Sequence, residues 1–365
     1  MRLNAIQFFT NSAVMMSILF IPILADNLGA SGTEIGMIGA VYGASLFIST
    51  YIFSRASDIL SPKLLLYTGF SSATLTFFLQ ALAYDAFSLG VIRTLAGFSA
   101  GIYPAALLLY VYRLKHSIEN FISFMPLGWA AGFLAAGIIA VYWQIFVISS
   151  LLFMVSFLIA LTLPNIQANT KKRDDYFSIH VLKRNWYIYL AFFLRQMGAN
   201  NVWIIFPLYL RSLGADELWI GIIYTLNPLL QFFIMRRLDR YNNITLIHAG
   251  YMISTIAFMA FLPLTAHYHA LIGMVLIAFS FSCLFVGSTN ELLENNEDKG
   301  TSAGLLNSTL SLSTVAGSLI GGSVLEHYNY HVVIAIGAFF AFLGYVVFNY
   351  GLQISKKFLK SSFPF

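Results

Sequence analysis

Charged residues are scarce in this chain, and that scarcity excludes an ordinary soluble domain. Of its 365 residues, 10% are Asp, Glu, Lys or Arg, whereas soluble domains carry roughly a quarter. Hydrophobic residues make up 59%, and the mean hydropathy is +0.78. The composition therefore predicts an integral membrane protein in contact with the lipid bilayer.

Cysteine and common catalytic motifs are also lacking. Cys283 is the single cysteine and lies in an apolar stretch, so neither a disulfide framework nor a cysteine metal site is possible. The sequence has no GxxxxGK[ST] phosphate loop and no HExxH motif, which argues against an ATP-driven pump and a zinc protease. We expect no cofactor, no metal and no enzymatic activity. The basic residues behind the net charge of +5 are scattered among short loops, so we expect no nucleic-acid partner.

Twelve apolar runs, each of about 17 to 25 residues, are long enough to cross a bilayer. They cover approximately residues 5–24, 34–53, 63–83, 87–111, 120–141, 144–163, 186–210, 218–235, 245–264, 270–290, 302–325 and 331–353. No small-x-small cleavage site follows the first run, so we interpret it as a transmembrane helix rather than a signal peptide.

The basic residues predict the orientation of these helices. With both termini in the cytoplasm, seventeen Lys and Arg residues fall on the inner side, and Arg211 alone falls outside. We therefore predict a multi-pass protein of the plasma membrane with cytoplasmic termini. Its parts would be an N-terminal six-helix bundle (1–163), a cytoplasmic linker (164–185) and a C-terminal six-helix bundle with a short cytoplasmic tail (186–365).

The two halves of the sequence repeat each other. At an offset of 185 residues, Pro22 matches Pro207, and Leu28-Gly29-Ala30 matches Leu213-Gly214-Ala215. Because an even number of helices separates the copies, both halves share one orientation, which is a parallel repeat about an axis along the membrane normal.

A polar loop, 53–63, separates the second and third runs and contains Asp58. Its equivalent after the eighth run, 235–243, contains Asp239 at an offset of 181. Twelve helices, a six-plus-six parallel repeat and these paired Asp loops together resemble the major facilitator superfamily. In that family the loop reads roughly Gly-x-Leu-x-Asp-Arg-x-Gly-Arg-Arg. Here Ile59 and Pro62 depart from the pattern, whereas Asp58 and Lys63 keep it.

The resemblance implies an all-α fold of two six-helix bundles that rock about a site at mid-membrane. It also implies that the Asp loops act as a latch, made in one state and lost in the other, between each carboxylate and the start of a helix in the opposite bundle. Alternatively, each Asp caps its own loop or the next helix. The predicted latch residues are Asp58, Arg55, Lys63, Arg113, Asp239 and Arg240. Helix four adds Arg93-x-x-x-Gly97-x-x-x-Gly101, which resembles the family's motif of an Arg followed by close-packing glycines.

Arg93 and Arg195 are the basic residues that we place at mid-membrane. An Arg at that depth costs at least about 2.5 to 3.5 kcal/mol, so both should face the bundle interior or a watery cavity. No Asp, Glu or His is predicted at a comparable depth. An anionic ligand could complete such a site. Alternatively, Arg195 bonds to carbonyls and amides as a structural residue, and Arg93 serves packing or coupling.

Helix seven presents a polar face, because Gln196, Asn200 and Trp203 lie at i, i+4 and i+7, with Asn201 beside them. The resemblance adds residues from helices one, four and ten to the cavity. The predicted substrate-binding set is Arg195, Gln196, Asn200, Asn201, Trp203, Asn11, Arg93, Tyr103, Ser280 and Ser282. Each of these side chains could instead join helices together.

Glycines recur at helical spacing and predict close helix packing rather than chemistry. They include Gly36, Gly39 and Gly43 in helix two, and Gly317 and Gly321 in helix eleven.

These observations favour a secondary transporter or facilitator that moves a small solute by alternating access, with an organic anion as the preferred class. The partners would be a small molecule and optionally a proton or other coupling ion, and the unit a monomer. The alternatives are an exporter of lipophilic, drug-like compounds driven by proton antiport and, from a different class, a transporter-like membrane sensor.

Overall fold

The computed structural model describes residues 1–116, 118–166, 179–296 and 299–361; at residues 55, 57–59, 118–120, 179–180, 239, 299–301, 303 and 356–361 it describes the backbone alone. Within this part of the chain the regular structure is helical. The helices are α1 Arg2–Ile18, α2 Ile21–Asn27, α3 Gly32–Ile59, α4 Pro62–Leu79, α5 Ala86–Ala100, α6 Pro104–Arg113, α7 Ile118–Ile139, α8 Tyr142–Leu161, α9 Ile179–Arg184, α10 Trp186–Trp203, α11 Phe206–Ser212, α12 Glu217–Met235, α13 Asn243–Ala260, α14 Ala270–Asn295, α15 Lys299–His327 and α16 Tyr330–Ser361.

These helices form the twelve predicted spans. In the described chain, eleven segments are long and apolar enough to cross a bilayer. The remaining span is α10 followed by α11, which is less apolar because α10 carries Arg195, Gln196, Asn200 and Asn201. The prediction of an all-helical, multi-pass membrane fold is confirmed.

Three spans are broken in the middle, each next to a proline. The breaks separate α1 from α2, α5 from α6 and α10 from α11, and Pro22, Pro104 and Pro207 lie in the first turn of the second piece. Proline lacks an N–H and is tolerated where the first turn would leave that group unbonded. Because Pro22 and Pro207 are repeat equivalents, the break in the first span recurs in the seventh.

Both copies of the repeat end their first span in the same conformation. Gly29 has φ +82° and Gly214 has φ +83°. In each copy the N–H of the following alanine donates to the carbonyl five residues earlier over 3.0 Å. A left-handed residue at this position is where glycine is favoured, because it has no Cβ. The structure thus confirms the internal repeat at the level of the backbone.

The segment 53–63, predicted as a loop, is mostly helical. α3 continues to Ile59, and only two residues separate it from α4. The reason is that the first strong helix breaker is Pro62, which begins α4 and disfavours helical backbone in the residue before it. Thirty residues separate the starts of α3 and α4, and twenty-six those of α12 and α13, which accounts for the drop in offset from 185 to 181.

Helix starts at the end of the molecule opposite the termini, here called the distal end, are capped by side chains. Ser31 accepts from the N–H of Glu34 over 3.3 Å, and its repeat equivalent Asp216 caps α12 in the same way. Asp85 accepts from the N–H of Ser88 over 2.7 Å. The hydrogen bonds from Ser88 lower the pKa of the Asp85 carboxyl group. These caps fix where each span begins.

In the described part of the chain, two helix pairs make the most extensive contacts between the bundle of α1–α8 and the bundle of α10–α16. α3 packs against α15, and α12 packs against α7. Under the repeat these two contacts are equivalent, so the interface has the pseudo-twofold symmetry of the sequence. A cavity lies between them.

Candidate solute-binding site

A cavity of about 460 Å³ lies between the two bundles and is lined by both. Its walls are mainly apolar and aromatic, with a small number of polar side chains. That composition is typical of sites that take up small organic molecules.

Arg195 lines this cavity and is held by three other residues of the C-terminal bundle. Its side chain is 2% exposed. Nε donates to Ser254 Oγ over 2.7 Å, Nη2 donates to Ser280 Oγ over 3.3 Å, and Nη1 donates to the side-chain oxygen of Gln196. Because a guanidinium has five N–H groups, these bonds orient the side chain and leave two donors for another partner.

Arg93 lines the same cavity from the N-terminal bundle with fewer partners. It is 1% exposed, and Nη1 donates to Gln80 Oε1 over 3.2 Å. The guanidinium lies 3.9 Å from the ring centroid of Tyr42, a cation–π contact. Its buried Nε has no hydrogen-bond partner among the described residues. Arg93 therefore has more unused donor capacity than Arg195.

The described residues that line the cavity include no Asp, Glu or His. Neither arginine forms an ion pair with a described carboxylate, and the described chain has no group of three metal-ligating side chains. Two buried cations facing one cavity make it electropositive. The site can bind and orient a solute through hydrogen bonds and charge.

Of the predicted substrate-binding set, five residues line the cavity: Arg93, Arg195, Gln196, Asn200 and Trp203. Asn200 Nδ2 donates to the carbonyl of Gln196 over 2.9 Å and to Ser313 Oγ over 3.3 Å. The helical spacing that placed Gln196, Asn200 and Trp203 on one face is thus reproduced in the structure.

The other five predicted residues do not line the cavity. Asn201 Nδ2 donates to the carbonyl of Val333 over 2.7 Å, between α10 and α16. Asn11 accepts from Trp129 Nε1 over 2.9 Å, and it is Trp129 that faces the cavity. The rest are Tyr103, which packs on the rings of Phe70 and Phe153, Ser280, which accepts from Arg195, and the buried Ser282.

Several lining residues were not predicted. Asn227 and Gln231 lie one turn apart on α12 with Pro228 between them, and Gln231 Nε2 donates to Asn227 Oδ1 over 2.7 Å. Tyr42 and Trp129 supply aromatic surface. Two amides at i and i+4 in an apolar run are the sequence signal for this wall, whereas the family resemblance implies helices one, four, seven and ten.

Glycines bring the two bundles into backbone contact at the distal end. A Cβ at Gly322 on α15 would lie 2.6 Å from Gly36 Cα on α3, and one at Gly221 on α12 would lie 2.7 Å from Gly137 Cα on α7. Gly36 and Gly221, and Gly137 and Gly322, are each separated by 185 residues. The two crossings are thus repeat equivalents.

Polar contacts also join the bundles at this end. The N–H of Thr33 donates to Glu326 Oε2 over 2.8 Å, and Arg211 Nη1 donates to Asn27 Oδ1 over 3.1 Å. Together with the glycine crossings, they hold the bundles together on the distal side of the cavity.

The predicted latch lies at the opposite end, on the side of the termini. The side chains of Arg55, Asp58 and Asp239 lie outside the described residues. Lys63 Nζ donates to the carbonyl of Leu163 over 2.8 Å within its own bundle. Arg113 ends α6 and Arg240 follows α12, and both are exposed. The latch stays a prediction.

Comparison with known proteins agrees with this architecture. The model of the major facilitator superfamily matches residues 3–293 and 188–357. Among solved structures, the nucleoside transporter NupG is similar, with a TM-score of 0.80 and 12% identity over 96% of this chain and 98% of that one. The human organic anion transporter MFSD10 (TETRAN) has a TM-score of 0.72 and 14% identity over 95% and 98%.

A peptide transporter, POT, whose structure holds alafosfalin, has a TM-score of 0.78 and 12% identity over 98% of this chain and 94% of that one. These identities show the shared fold and leave the solute open. No curated protein sequence matches the chain. The family match covers most of the chain, and the resemblance seen in the sequence is confirmed: the chain belongs to the major facilitator superfamily and is a membrane transporter of a solute.

Proposed function

We propose that this transporter carries a small organic anion by alternating access. The observation that supports this most directly is the pair of buried guanidinium groups, Arg93 and Arg195, which face one cavity from opposite bundles without a carboxylate among its described lining residues. An anion between them would balance the charge that the protein places at mid-membrane.

The free-energy cost of these arginines supports the same conclusion. A guanidinium at the bilayer centre costs at least about 2.5 kcal/mol, and such residues mark substrate or ion pathways unless they are paired within the protein. Arg195 meets this cost partly through Ser254, Ser280 and Gln196. Arg93 has one side-chain hydrogen bond and one ring contact, so an added anion has most to gain there.

The rest of the cavity suggests what else the anion carries. Trp129, Phe133, Trp203, Tyr224 and Phe281 all line it. A wall of this kind buries an apolar or aromatic body at about 25 cal/mol per Å². We therefore expect a carboxylate, sulfonate or phosphate attached to an organic skeleton rather than a small inorganic ion.

The distal contacts support a mechanism of alternating access. In the described structure the bundles touch on the distal side of the cavity through the crossings of Gly36 with Gly322 and of Gly137 with Gly221. Separation at these crossings, with approach at the other end, would expose the cavity to the opposite side. The proposal places the termini in the cytoplasm and the protein in the plasma membrane, with the monomer as the transporting unit.

One observation favours a second candidate, an exporter of lipophilic compounds driven by proton antiport. The aromatic lining would suit such solutes. The described lining, however, offers no Asp, Glu or His to carry a proton near neutral pH. We rank this candidate second.

The test is a solute panel in proteoliposomes. Anionic, neutral and cationic organic solutes are offered with and without a pH gradient, to the unsubstituted protein and to the Arg195→Gln and Arg93→Gln variants. We expect anions to be carried and KM to rise roughly ten- to a hundredfold in each variant, since a hydrogen bond to a charged group contributes about 1.5–3 kcal/mol. Arg237→Gln, at an exposed position outside the cavity, is the matched control.

Two outcomes would contradict the proposal. If neutral or cationic solutes are carried and both variants transport them normally, the solute is not an anion. If the folded protein exchanges none of the solutes, the result favours the alternative of a transporter-like membrane sensor. Uptake of cations that requires a proton gradient would favour the exporter.

A further inference from the structure

One wall of the cavity carries a hydrogen-bond acceptor that has no partner among the described residues. Tyr224, Asn227, Pro228 and Gln231 lie on a single face of α12 and line the cavity together. The two arginines that line the same cavity contribute only donors, because a guanidinium has no acceptor.

Gln231 carries this acceptor. It is 4% exposed, and its Nε2 donates to Asn227 Oδ1 over 2.7 Å. Its Oε1 has no hydrogen-bond partner among the described residues. Buried polar atoms are nearly always paired, so an unpaired carbonyl oxygen beside a cavity indicates that a donor belongs there.

Pro228 creates a second acceptor, the carbonyl of Tyr224, about two turns before Gln231 on α12. Proline has no N–H, so the carbonyl of Tyr224 lacks its usual donor in the helix. Both Tyr224 and Gln231 line the cavity on the same face of α12. A hydrogen-bond donor of the solute could bond to either oxygen.

We propose that this face of α12 binds a hydrogen-bond donor of the solute, so that the carried anion also has an O–H or N–H group away from its charge. This inference rests on the proposed function and narrows its substrate class. The anionic group lies at the arginines and the donor lies at α12, and the solute spans the cavity between them.

The experiment compares matched pairs of anions. The probes are aromatic hydroxy acids, aliphatic hydroxy acids and N-acetyl amino acids, each beside its O- or N-methylated counterpart. Methylation removes the donor and keeps the charge. In the unsubstituted protein we expect KM of the methylated member to be at least about tenfold higher, because a site built to bond a donor rejects the analogue without it.

Variants at Gln231 connect this preference to α12. In Gln231→Met, which keeps the approximate volume and removes the acceptor, the KM ratio should fall to near one. In Gln231→Glu, which keeps an acceptor, the ratio should persist, since any charge repulsion affects both members of a pair equally. Thr225→Val, on a face of α12 that bonds to Ala130 of α7, is the matched control.

The outcomes separate this inference from the proposed function. If Arg-dependent anion transport is found but the ratio is near one, or survives in Gln231→Met, the inference is overturned and the proposed function stands. Loss of the ratio in both Gln231 variants would indicate a structural role and would also overturn it. If no anion is carried, both the proposed function and this inference are wrong.

Discussion

Substituting Gly322 with alanine should open the distal end of the transporter. Gly322 crosses α3 at backbone contact, and a Cβ there would lie 2.6 Å from Gly36 Cα and 2.7 Å from Gly36 N. The nearest atom to that Cβ is the carbonyl oxygen of Gly32, also on α3. Ordinary van der Waals contact begins at 3.4 Å, so α3 and α15 must separate by roughly 1 Å. None of these neighbouring atoms belongs to a side chain that could rotate away.

The magnitude follows from the cost of overpacking. Inserting a methyl group into a closed contact costs about 1–3 kcal/mol, which corresponds to a roughly 5- to 150-fold change in an equilibrium. In the distal-open state the crossing is apart and the cost does not apply. The ratio of distal-closed to distal-open protein should therefore fall by this factor.

Gly304→Ala is the matched control for this experiment. Gly304 lies on the same helix, and apart from its own helix no atom of a described residue lies within 4 Å of its ideal Cβ. Both substitutions gain the same helix propensity, about 1 kcal/mol, so that term cancels between them. Gly304→Ala should leave the conformational equilibrium unchanged.

The assay is the distance between spin labels on the two bundles in lipid nanodiscs. Tyr84→Cys and Tyr268→Cys place labels at exposed distal positions of opposite bundles, in a Cys283→Ser background that removes the native cysteine. A longer-distance population should grow in Gly322→Ala and stay at its original level in Gly304→Ala. If Gly322→Ala gives the same distance distribution as the unsubstituted protein, the crossing does not hold the distal end closed.

Three further results are expected. Glu326→Gln should also raise the distal-open population, because it weakens the hydrogen bond from the Thr33 N–H across the bundles. Glu34→Gln, which affects only the cap of its own helix, should leave that population unchanged, and equal effects of the two variants would contradict the prediction. Asn201→Ala should lower the thermal midpoint of unfolding, since the lost hydrogen bond to Val333 contributes about 1 kcal/mol. KM should stay within about twofold because Asn201 does not line the cavity, and a large rise in KM would show that Asn201 contributes to solute binding. Asp58→Asn should slow transport, and near-unsubstituted rates would mean that its segment serves topology alone.

The fold could be predicted because membrane insertion constrains the sequence strongly. Each span must be long and apolar, and loops on one side carry the basic residues. The repeat was visible because the turn after the first span requires a glycine such as Gly29 at positive φ in both halves. The end of α3 was misplaced because charged residues in 53–63 were interpreted as a loop, although a helix that leaves the bilayer can continue with charged residues.

The site residues could be predicted only where their positions depend on the spacing within a single helix. Regular spacing placed Gln196, Asn200 and Trp203 on one face, and the depth of Arg195 identified it. Asn201 follows Asn200 in the sequence and therefore lies about 100° around the helix from it. Its side chain packs against α15 and α16 instead of lining the cavity.

Contacts between helices decided the remaining cases. Tyr103 lies at the break between α5 and α6, where a continuous helix no longer predicts direction. Gln231 was missed because its role depends on which wall α12 presents to the cavity. Such contacts are tertiary information that spacing within one helix does not contain.

The cavity shows how the duplicated halves have diverged. Ten pairs of its described lining residues are separated by 185 positions: Met15 and Asn200, Ile18 and Trp203, Leu19 and Ile204, Pro22 and Pro207, Gly39 and Tyr224, Tyr42 and Asn227, Gly43 and Pro228, Leu46 and Gln231, Trp129 and Thr314, and Phe133 and Ser318. The shape of the cavity is therefore a property of the repeat. The chemistry of the lining does not follow the repeat. The equivalents of Asn200, Asn227 and Gln231 in the first half are Met15, Tyr42 and Leu46.

Because of this divergence, the two halves of the protein contribute different side chains to the cavity. The distal crossings use glycine in both halves, so these backbone contacts follow the repeat. The second half contributes Arg195 together with amides and hydroxyls to the lining, and the first half contributes mainly apolar side chains around Arg93. Under the proposed function, a solute with one charged end, an apolar body and a donor would bind in one orientation. Specificity would then come from the residues that break the repeat, and movement from the glycines that keep it.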